Sequence, residues 1–361
     1  MDLAQITNGP VNPWSEFHGH EEVVVSSDPA TGLKSVIAIH STALGPALGG
    51  TRMSRYSDSP DPHAAAYSDA LRLARAMSLK NSLAGLPHGG GKAVLLGDPH
   101  NKSREQLLAY GDLIESLGGK YVTAGDVGMQ VADMDTVGER SRWVTGRSPE
   151  NGGVGDSGIL TAVGVWQGMK AAAQFTYGTP SLADRLVAVV GVGKVGGRLI
   201  NHLITEEGAR IVAMDPSAHA RAKIEKEFPE VEFVDSVQEM LASNPDVLSP
   251  NAMGGYITAE LARELTVTLI CGGANNQLAS PEVGQILAER GILFAPDFLV
   301  NCGGVIQVAE ELVGANVERA RAKVMGVFGT TTTVLERAVA EGITPVAAAE
   351  SEAWARIAAA S

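Results

Sequence analysis

Between residues 186 and 297 short apolar runs alternate with helical stretches, and this alternation limits the fold more than anything else in the chain. The runs are LVAVVG (186–191), RIVAMD (210–215), VEFVD (231–235), DVLSP (246–250), TLICGG (268–273) and ILFAPD (292–297). Near-continuous apolar strands, each followed by a helix, are buried on both faces and form a parallel sheet covered on each side by helices. The expectation is a doubly wound, Rossmann-type α/β domain. The earlier part of the chain is less regular. EEVVVSS, KSVIAIHS, KAVLLGD and KYVTAGD are strand-like, and HAAAYSDALRLARAMSLKNSLAGL is a helix whose Ala70, Leu73, Ala74 and Met77 form one apolar stripe. A mixed α/β domain is expected there, with a cleft between the two domains. The Gly-rich segment TGRSPENGGVGDSG (145–158) marks the boundary. The division is placed at 1–148 and 149–324, with a C-terminal return of 325–361 to the first domain.

Two glycine–lysine clusters suggest anion cradles. GVGKVG follows the first apolar run directly and opens a helix, with Gly191, Gly193 and Gly196 in G-x-G-x-x-G spacing and Asp215 nineteen residues further on. The first glycine permits the tight turn, the second lets backbone approach a pyrophosphate, and the third lets helix and strand pack closely. The helix N-terminus adds positive dipole. Asp215 would accept hydrogen bonds from ribose hydroxyls and repel a 2′-phosphate, which favours NAD over NADP. Gly191, Gly193, Lys194, Val195, Gly196 and Asp215 are therefore expected at the cofactor.

The upstream cluster, GLPHGGGKAV (85–94), fails as a P-loop. Five residues rather than four separate Gly85 from Gly91, and Ala93 follows Lys92 where a hydroxyl is required. Lys92 is then either a solvated lysine after a flexible turn or a catalytic amine. In a dry, crowded site its charged form would be disfavoured. Gly89, Gly90 and Gly91 would let a substrate or nicotinamide ring come close to the backbone. Lys80 lies beside the apolar stripe of its helix, where an ammonium needs an anion. That anion is a substrate carboxylate, or else Asp69 or Asp126 in an internal salt bridge, unless the side chain simply snorkels to the surface. Asp126 sits between glycines at a strand end in TAGDVG. Two lysines and a carboxylate can act as anion anchor, reactive amine and proton carrier.

Eight segments occur in order: ALGPALGGTRM (43–53), AMSLKNSLAGLPHGGGKAV (76–94), TAGDVG (123–128), VADMDT (131–136), GVGKVG (191–196), AMGG (252–255), GGANNQL (272–278) and APDFLVNCGGVIQVAEEL (295–312). Together they resemble the NAD-dependent leucine/valine/phenylalanine dehydrogenases, relatives of glutamate dehydrogenase, and are most similar to the bacterial branched-chain enzymes. The resemblance runs from about residue 20 to beyond 340. It implies reversible oxidative deamination of a branched-chain aliphatic L-amino acid to its 2-oxo acid and ammonia, with NAD as cofactor. Phenylalanine as substrate, or a catalytically inactive NAD-binding regulator, are the alternatives. By the same resemblance Lys80 binds the substrate carboxylate, helped by the backbone of Gly49, while Lys92 is the catalytic lysine and Asp126 the proton carrier. Asn276 stands beside the substrate, with Asn275 and Thr161 near the nicotinamide. Leu48, Ala124, Val305 and Val308 line the side-chain pocket. A homo-oligomer is also implied. His88, Asn251 and Cys302 depart from the family pattern, and His88 reshapes the pocket, introduces a titrating group there, or is an imidazole bonded to backbone.

Composition narrows the remaining classes. A formal charge of −13 and a pI near 5.1 oppose binding to a phosphate backbone, so no nucleic acid partner is expected. Two cysteines make no disulfide framework, and Asp133 and Asp135 lack His or Cys company, so they are read as helix-capping or amide-binding acids rather than metal ligands. No signal-like N-terminus or membrane-length apolar run is seen, and the cytoplasm is the expected compartment.

Overall fold

The computed structural model describes residues 17–360. These form two compact units. The first takes the chain through Asp156, together with Val305–Val317 and the residues from Ala353 onward; the second takes Ser157–Gly304 and Glu318–Glu352.

The first unit is built on a five-stranded sheet of order β1-β2-β4-β3-β5: β1 (Glu22–Asp28), β2 (Leu33–Ser41), β3 (Ala47–Ser54), β4 (Gly89–Leu96) and β5 (Tyr121–Gly125). Its first two pairings are antiparallel, and β3 runs parallel to both β4 and β5. Helix α1 (Pro62–Leu83) covers one face; α2 (Arg104–Ser116) and α3 (Val131–Val137) pack on the other. Helix α1 starts where its sequence says it should. The Asp61 side chain accepts from the backbone N–H groups of His63 and Ala64, both at 3.0 Å, and Pro62 occupies the first helical position. It stops at Gly85, whose φ of +68° turns the chain so that Leu86 N–H reaches the Asn81 carbonyl at 3.0 Å. Ala70, Leu73 and Ala74 of the expected stripe are buried.

Strand alternation decides what faces α1. Ala47, Thr51 and Met53 of β3 pack with Tyr110 toward α2, so Leu48, Gly50 and Arg52 point to the α1 side. On β4, Ala93 and Leu95 belong to the α2-side core and Val94 to the α1-side core, which puts Gly90 and Lys92 on the α1 side as well. The three glycines before Lys92 are thus an interior strand rather than an open loop. A Cβ on Gly89 would lie 1.8 Å from the Ser41 carbonyl oxygen, one on Gly90 2.1 Å from the Ser78 backbone nitrogen, and one on Gly91 2.7 Å from the Tyr121 ring. This corrects the expectation that they admit a ligand to the backbone. Protein already fills that space. Strand β3 has no counterpart among the strand-like runs read from sequence, because Gly49 and Gly50 interrupt its pattern.

The second unit carries a six-stranded parallel sheet of order β11-β10-β9-β6-β7-β8: β6 (Leu186–Val190), β7 (Arg210–Met214), β8 (Glu232–Phe233), β9 (Val247–Pro250), β10 (Leu269–Ile270) and β11 (Leu293–Phe294). Each of the six apolar runs became one strand. Renumbered within the unit, the order is 3-2-1-4-5-6, the doubly wound arrangement, with its switch point between β6 and β9. Helix α4 (Gly158–Tyr177) is buried over most of its length. Its Gly164 and Gly168 meet Val300 so closely that a Cβ on either would come within 2.7 Å of it.

The C-terminal return differs from the expected 325–361. The helical stretch from Val317 is broken at Gly326 into α12 (Val317–Met325) and α13 (Val327–Glu341), followed by α14 (Pro345–Ala360). Helix α13 stays with the second unit, where its fully buried Thr331 faces Gly168 of α4. Only the end of α14 rejoins the first unit: Ser82 Oγ donates to the Ala353 carbonyl at 2.9 Å, and Arg356 donates to the Leu86 carbonyl at 3.0 Å. Val305–Val317, within and after α11 (Gly303–Glu311), also belongs to the first unit, through Glu311 accepting from Gly146 and Val154 N–H.

Gly90→Ala should lower the free energy of unfolding by on the order of 3 kcal/mol, because its methyl must displace the α1 backbone from the sheet. The midpoint of urea unfolding measures it, and an unchanged midpoint would contradict the close approach.

Candidate functional site

The reactive groups of the first unit gather on the α1 face of its sheet. Lys92 is buried, with 6% of its surface exposed, and its Nζ donates to Asp126 Oδ2 at 2.6 Å. A buried ammonium is stable only if an anion meets it. Asp126 follows the last residue of β5 and reaches back across β3 to supply that anion. Gly50 makes the meeting possible. A Cβ there would lie 2.9 Å from Asp126 Cβ and 3.3 Å from Lys92 Nζ. Leu48 and Ala124 lie on this same face, on β3 and β5, both buried.

Asp126 Oδ2 has a second cation. Arg52 Nε donates to it at 3.3 Å, while Arg52 Nη1 donates to Asp69 Oδ2 at 2.8 Å. Asp69 is held further by Tyr56 Oη and Arg72 Nη2, each at 2.6 Å. The two carboxylates considered for an internal pairing of Lys80 are therefore engaged by Arg52, Arg72, Tyr56 and Lys92. Burial alone would push the Asp126 carboxyl upward, but the Lys92 and Arg52 charges outweigh it and hold the group well below the usual carboxylate range.

The helix above this site is stapled to it. Asn81 Nδ2 donates to the Leu48 carbonyl at 2.9 Å and the Gly89 carbonyl at 2.6 Å, which fixes the last turn of α1, and Lys80 beside it, over β3 and β4. Beneath the sheet, Tyr121 Oη donates to the Gly49 carbonyl at 2.9 Å. Val305 is half-buried and Val308 buried on α11. His88 Nδ1 lies 3.2 Å from the Pro46 carbonyl, the backbone-bonded imidazole among the readings considered. Asp133 accepts from Gln130 N–H at 2.7 Å at the start of α3, and Asp135 accepts from Ser148 N–H at 3.0 Å, the capping and amide-binding roles expected for them.

In the second unit the glycine loop stands at the switch point, between the C-terminal ends of β6 and β9. Gly191 has φ +89°, and a Cβ on it would strike Ala252; a Cβ on Gly196 would lie 1.9 Å from the Gly191 carbonyl oxygen. At Gly193 nothing lies within 4 Å. The first and third glycines are thus demanded by the protein's own packing, and the middle one leaves room where a dinucleotide's pyrophosphate would approach. Asp215, just past β7, accepts from Val192 N–H and Ser217 N–H, both at 2.8 Å, so its carboxylate is fixed beside the loop. The residues fit a dinucleotide. Lys194 is exposed, and Val195 packs on Gly273 at the start of α5 (Gly196–Thr205).

Asn251 Nδ2 donates to the Ser249 carbonyl at 2.9 Å and its Oδ1 accepts from Gly273 N–H at 2.8 Å, tying the ends of β9 and β10. Cys302 is fully buried. Thr161 Oγ1 donates to the Ser157 carbonyl at 3.0 Å on α4. Asn275 accepts from Asn301 Nδ2 at 2.8 Å, and Asn276 holds φ +52°, its N–H donated to Asp297.

Residues 19–142 match the family model described as "Glu/Leu/Phe/Val dehydrogenase, dimerisation domain", and residues 217–361 match "Glutamate/Leucine/Phenylalanine/Valine dehydrogenase". The chain belongs to the glutamate/leucine/phenylalanine/valine dehydrogenase family. As such it is an amino acid dehydrogenase, an oxidoreductase acting on the CH–NH2 group. It is 53% identical to a valine dehydrogenase of Streptomyces albus over 95% of this chain and 94% of that one, and 43% identical to a leucine dehydrogenase of Bacillus subtilis over 95% and 93%. The crystal structure of an L-tryptophan dehydrogenase from Nostoc punctiforme superposes with a TM-score of 0.82 at 34% identity, covering 96% of this chain and 98% of that one.

Sequence reasoning had picked out Lys92 and Asp126 of this dehydrogenase but not Gly50 or Arg52. Both stand in GGTRM, where only the strand alternation of β3 reveals that they face the lysine. The depressed carboxyl of Asp126 stabilises the fold above the ordinary aspartate value near pH 4, and that contribution is lost as pH falls toward the lower folded-state value. Asp126→Asn should therefore be less stable than wild type at about pH 7, with the gap narrowing by about pH 3. Urea unfolding at both values measures it; a gap that stays constant would contradict the pairing.

Proposed function

We propose that this enzyme catalyses the NAD-dependent, reversible oxidative deamination of a branched-chain aliphatic L-amino acid: amino acid, NAD⁺ and water give 2-oxo acid, ammonia and NADH. The observation that carries the reading is the buried Lys92–Asp126 pair with Gly50 beneath it. The identities with valine and leucine dehydrogenases, at 53% and 43%, support an aliphatic substrate. Leu48 and Ala124 beside the pair, with Val305 and Val308 on α11, would supply apolar lining for its side chain.

NAD⁺, when bound along Gly191, Gly193, Val195 and Gly196 with its ribose on Asp215, supplies the acceptor for the hydride leaving the α-carbon. Thr161 and Asn275 would stand near its nicotinamide. The chain's own residues do the rest. Lys80, with the Gly49 backbone, holds the substrate carboxylate, and Asn276 orients the amino group. Asp126 Oδ2 takes a proton from the amino group as the C–N bond gains double-bond character. Lys92 Nζ then stabilises negative charge on the oxygen of the attacking water. Because Nζ and Oδ2 are hydrogen-bonded, a proton can pass between them without a large movement. In this reading the first unit binds substrate and assembles the homo-oligomer, while the second binds the nucleotide. The enzyme works in the cytoplasm without a nucleic acid or membrane partner. The description of the first family model as a dimerisation domain supports assembly. No helix among the described residues is long and apolar enough to cross a membrane. An inactive regulatory protein would have no need of the intact pair.

The test is NADH absorbance with a panel of L-amino acids, including phenylalanine and tryptophan, in alkaline buffer. Valine, leucine or isoleucine should give the highest kcat/KM; an aromatic preference would overturn the substrate reading. Lys92→Ala should abolish turnover while NAD⁺ still binds, Lys80→Ala should mainly raise KM, and Asp215→Ala should relax the preference against NADP. Turnover retained in Lys92→Ala would refute the role given to Lys92.

A further inference from the structure

We propose that Arg52 is a positioning residue for the proton-carrying carboxylate, setting both the angle and the basicity of Asp126. The inference deepens the reading of the site given above and rests on it. Five side chains of alternating sign form one connected series across the α1 face: Arg72, Asp69, Arg52, Asp126 and Lys92. Arg52 is its centre, and its two carboxylate contacts use different nitrogens. Nη1 meets Asp69 at 2.8 Å and Nε meets Asp126 at 3.3 Å. A planar guanidinium can hold two carboxylates at a fixed angle in this way, whereas an ammonium at the end of a flexible chain cannot.

The far end of the series is immobilised. Asp69 is buried, and both of its oxygens are taken, Oδ2 by Arg52 and Tyr56, Oδ1 by Arg72. Arg52 is thereby fixed from behind, and its Nε is presented to the same oxygen, Oδ2, that accepts from Lys92. That shared oxygen matters. An oxygen gripped by one mobile lysine could swing with it; one gripped also by an anchored arginine stays where the substrate's amino group must find it. Arg52 also keeps a positive charge near Asp126 at any moment when Lys92 is turned to the reacting oxygen.

The charged and titratable groups around Asp126 come from several elements. Lys92 comes from β4, Arg52 from β3, Asp69, Arg72 and Lys80 from α1, and Tyr56 from the turn between β3 and α1. In the loop after Asp126, Lys102 donates to the Gly128 carbonyl at 2.7 Å and pairs with Asp133. Lys92 and Arg52 hydrogen-bond the Asp126 carboxylate.

The test compares the pH profile of kcat/KM in wild type, Arg52→Gln and Arg52→Lys. Arg52→Gln strands no buried charge, since Asp69 keeps Tyr56 and Arg72 and Asp126 keeps Lys92; a thermal midpoint near wild type verifies this. With one cation removed, the acidic limb should move up by roughly one pH unit. At the same time kcat should fall about tenfold or more while KM for the amino acid stays near wild type. Arg52→Lys, which keeps the charge but not the double contact, should leave the limb near its wild-type position with kcat still reduced. An acidic limb unmoved in Arg52→Gln overturns the positioning role and leaves the dehydrogenase reading standing. A wild-type protein that turns over no amino acid of the panel overturns both.

Discussion

A lysine ammonium kept out of water next to a carboxylate is the constraint around which the first unit is arranged. Lys92 occupies the interior of a five-stranded sheet, at a position where an unpaired charge would cost several kcal/mol. Asp126 meets that cost, Arg52 steadies Asp126, and Asp69 steadies Arg52. Lys92, Asp126, Arg52 and Asp69 come from four different parts of the unit, so the site exists only once the sheet and α1 have closed on each other. Stability and chemistry share the same contacts.

Glycine is what lets them share. At Gly50 a side chain would occupy the space between Lys92 and Asp126, and at Gly90 it would lift α1 from the sheet. In the second unit Gly191 and Gly196 do comparable work, pressing loop and helix together so that Gly193 alone is left open. The two glycine–lysine clusters look alike in sequence and are physically opposite. Around Lys92 the glycines admit protein; at Gly193 the space is free for a ligand.

The second unit was legible almost element by element, because a parallel sheet covered on both faces demands apolar runs that few other structures would produce. Its glycine loop followed from the same pattern. The first unit was legible only in part. Strand β3 was hidden, since Gly49 and Gly50 erase the alternation by which a strand is recognised. With β3 went Arg52, which reads as an ordinary surface arginine until the strand turns it toward α1. Near the C-terminus the helical stretch breaks at Gly326, and Thr331 against Gly168 holds α13 in the second unit. The residues alone left Lys92 open between a solvated lysine and a catalytic amine; its role and that of Asp126 came from the family resemblance.

The account depends on Lys92 and Asp126 acting as one unit, and a double-mutant cycle on stability tests that most directly. Urea unfolding of wild type, Lys92→Met, Asp126→Asn and the double variant at neutral pH gives the coupling energy. The pair described here predicts about 2 kcal/mol or more, with the double variant clearly more stable than the sum of the single losses would allow. Losses that simply add, within about 0.5 kcal/mol, would mean that the two side chains do not depend on each other, and the site as described would be wrong.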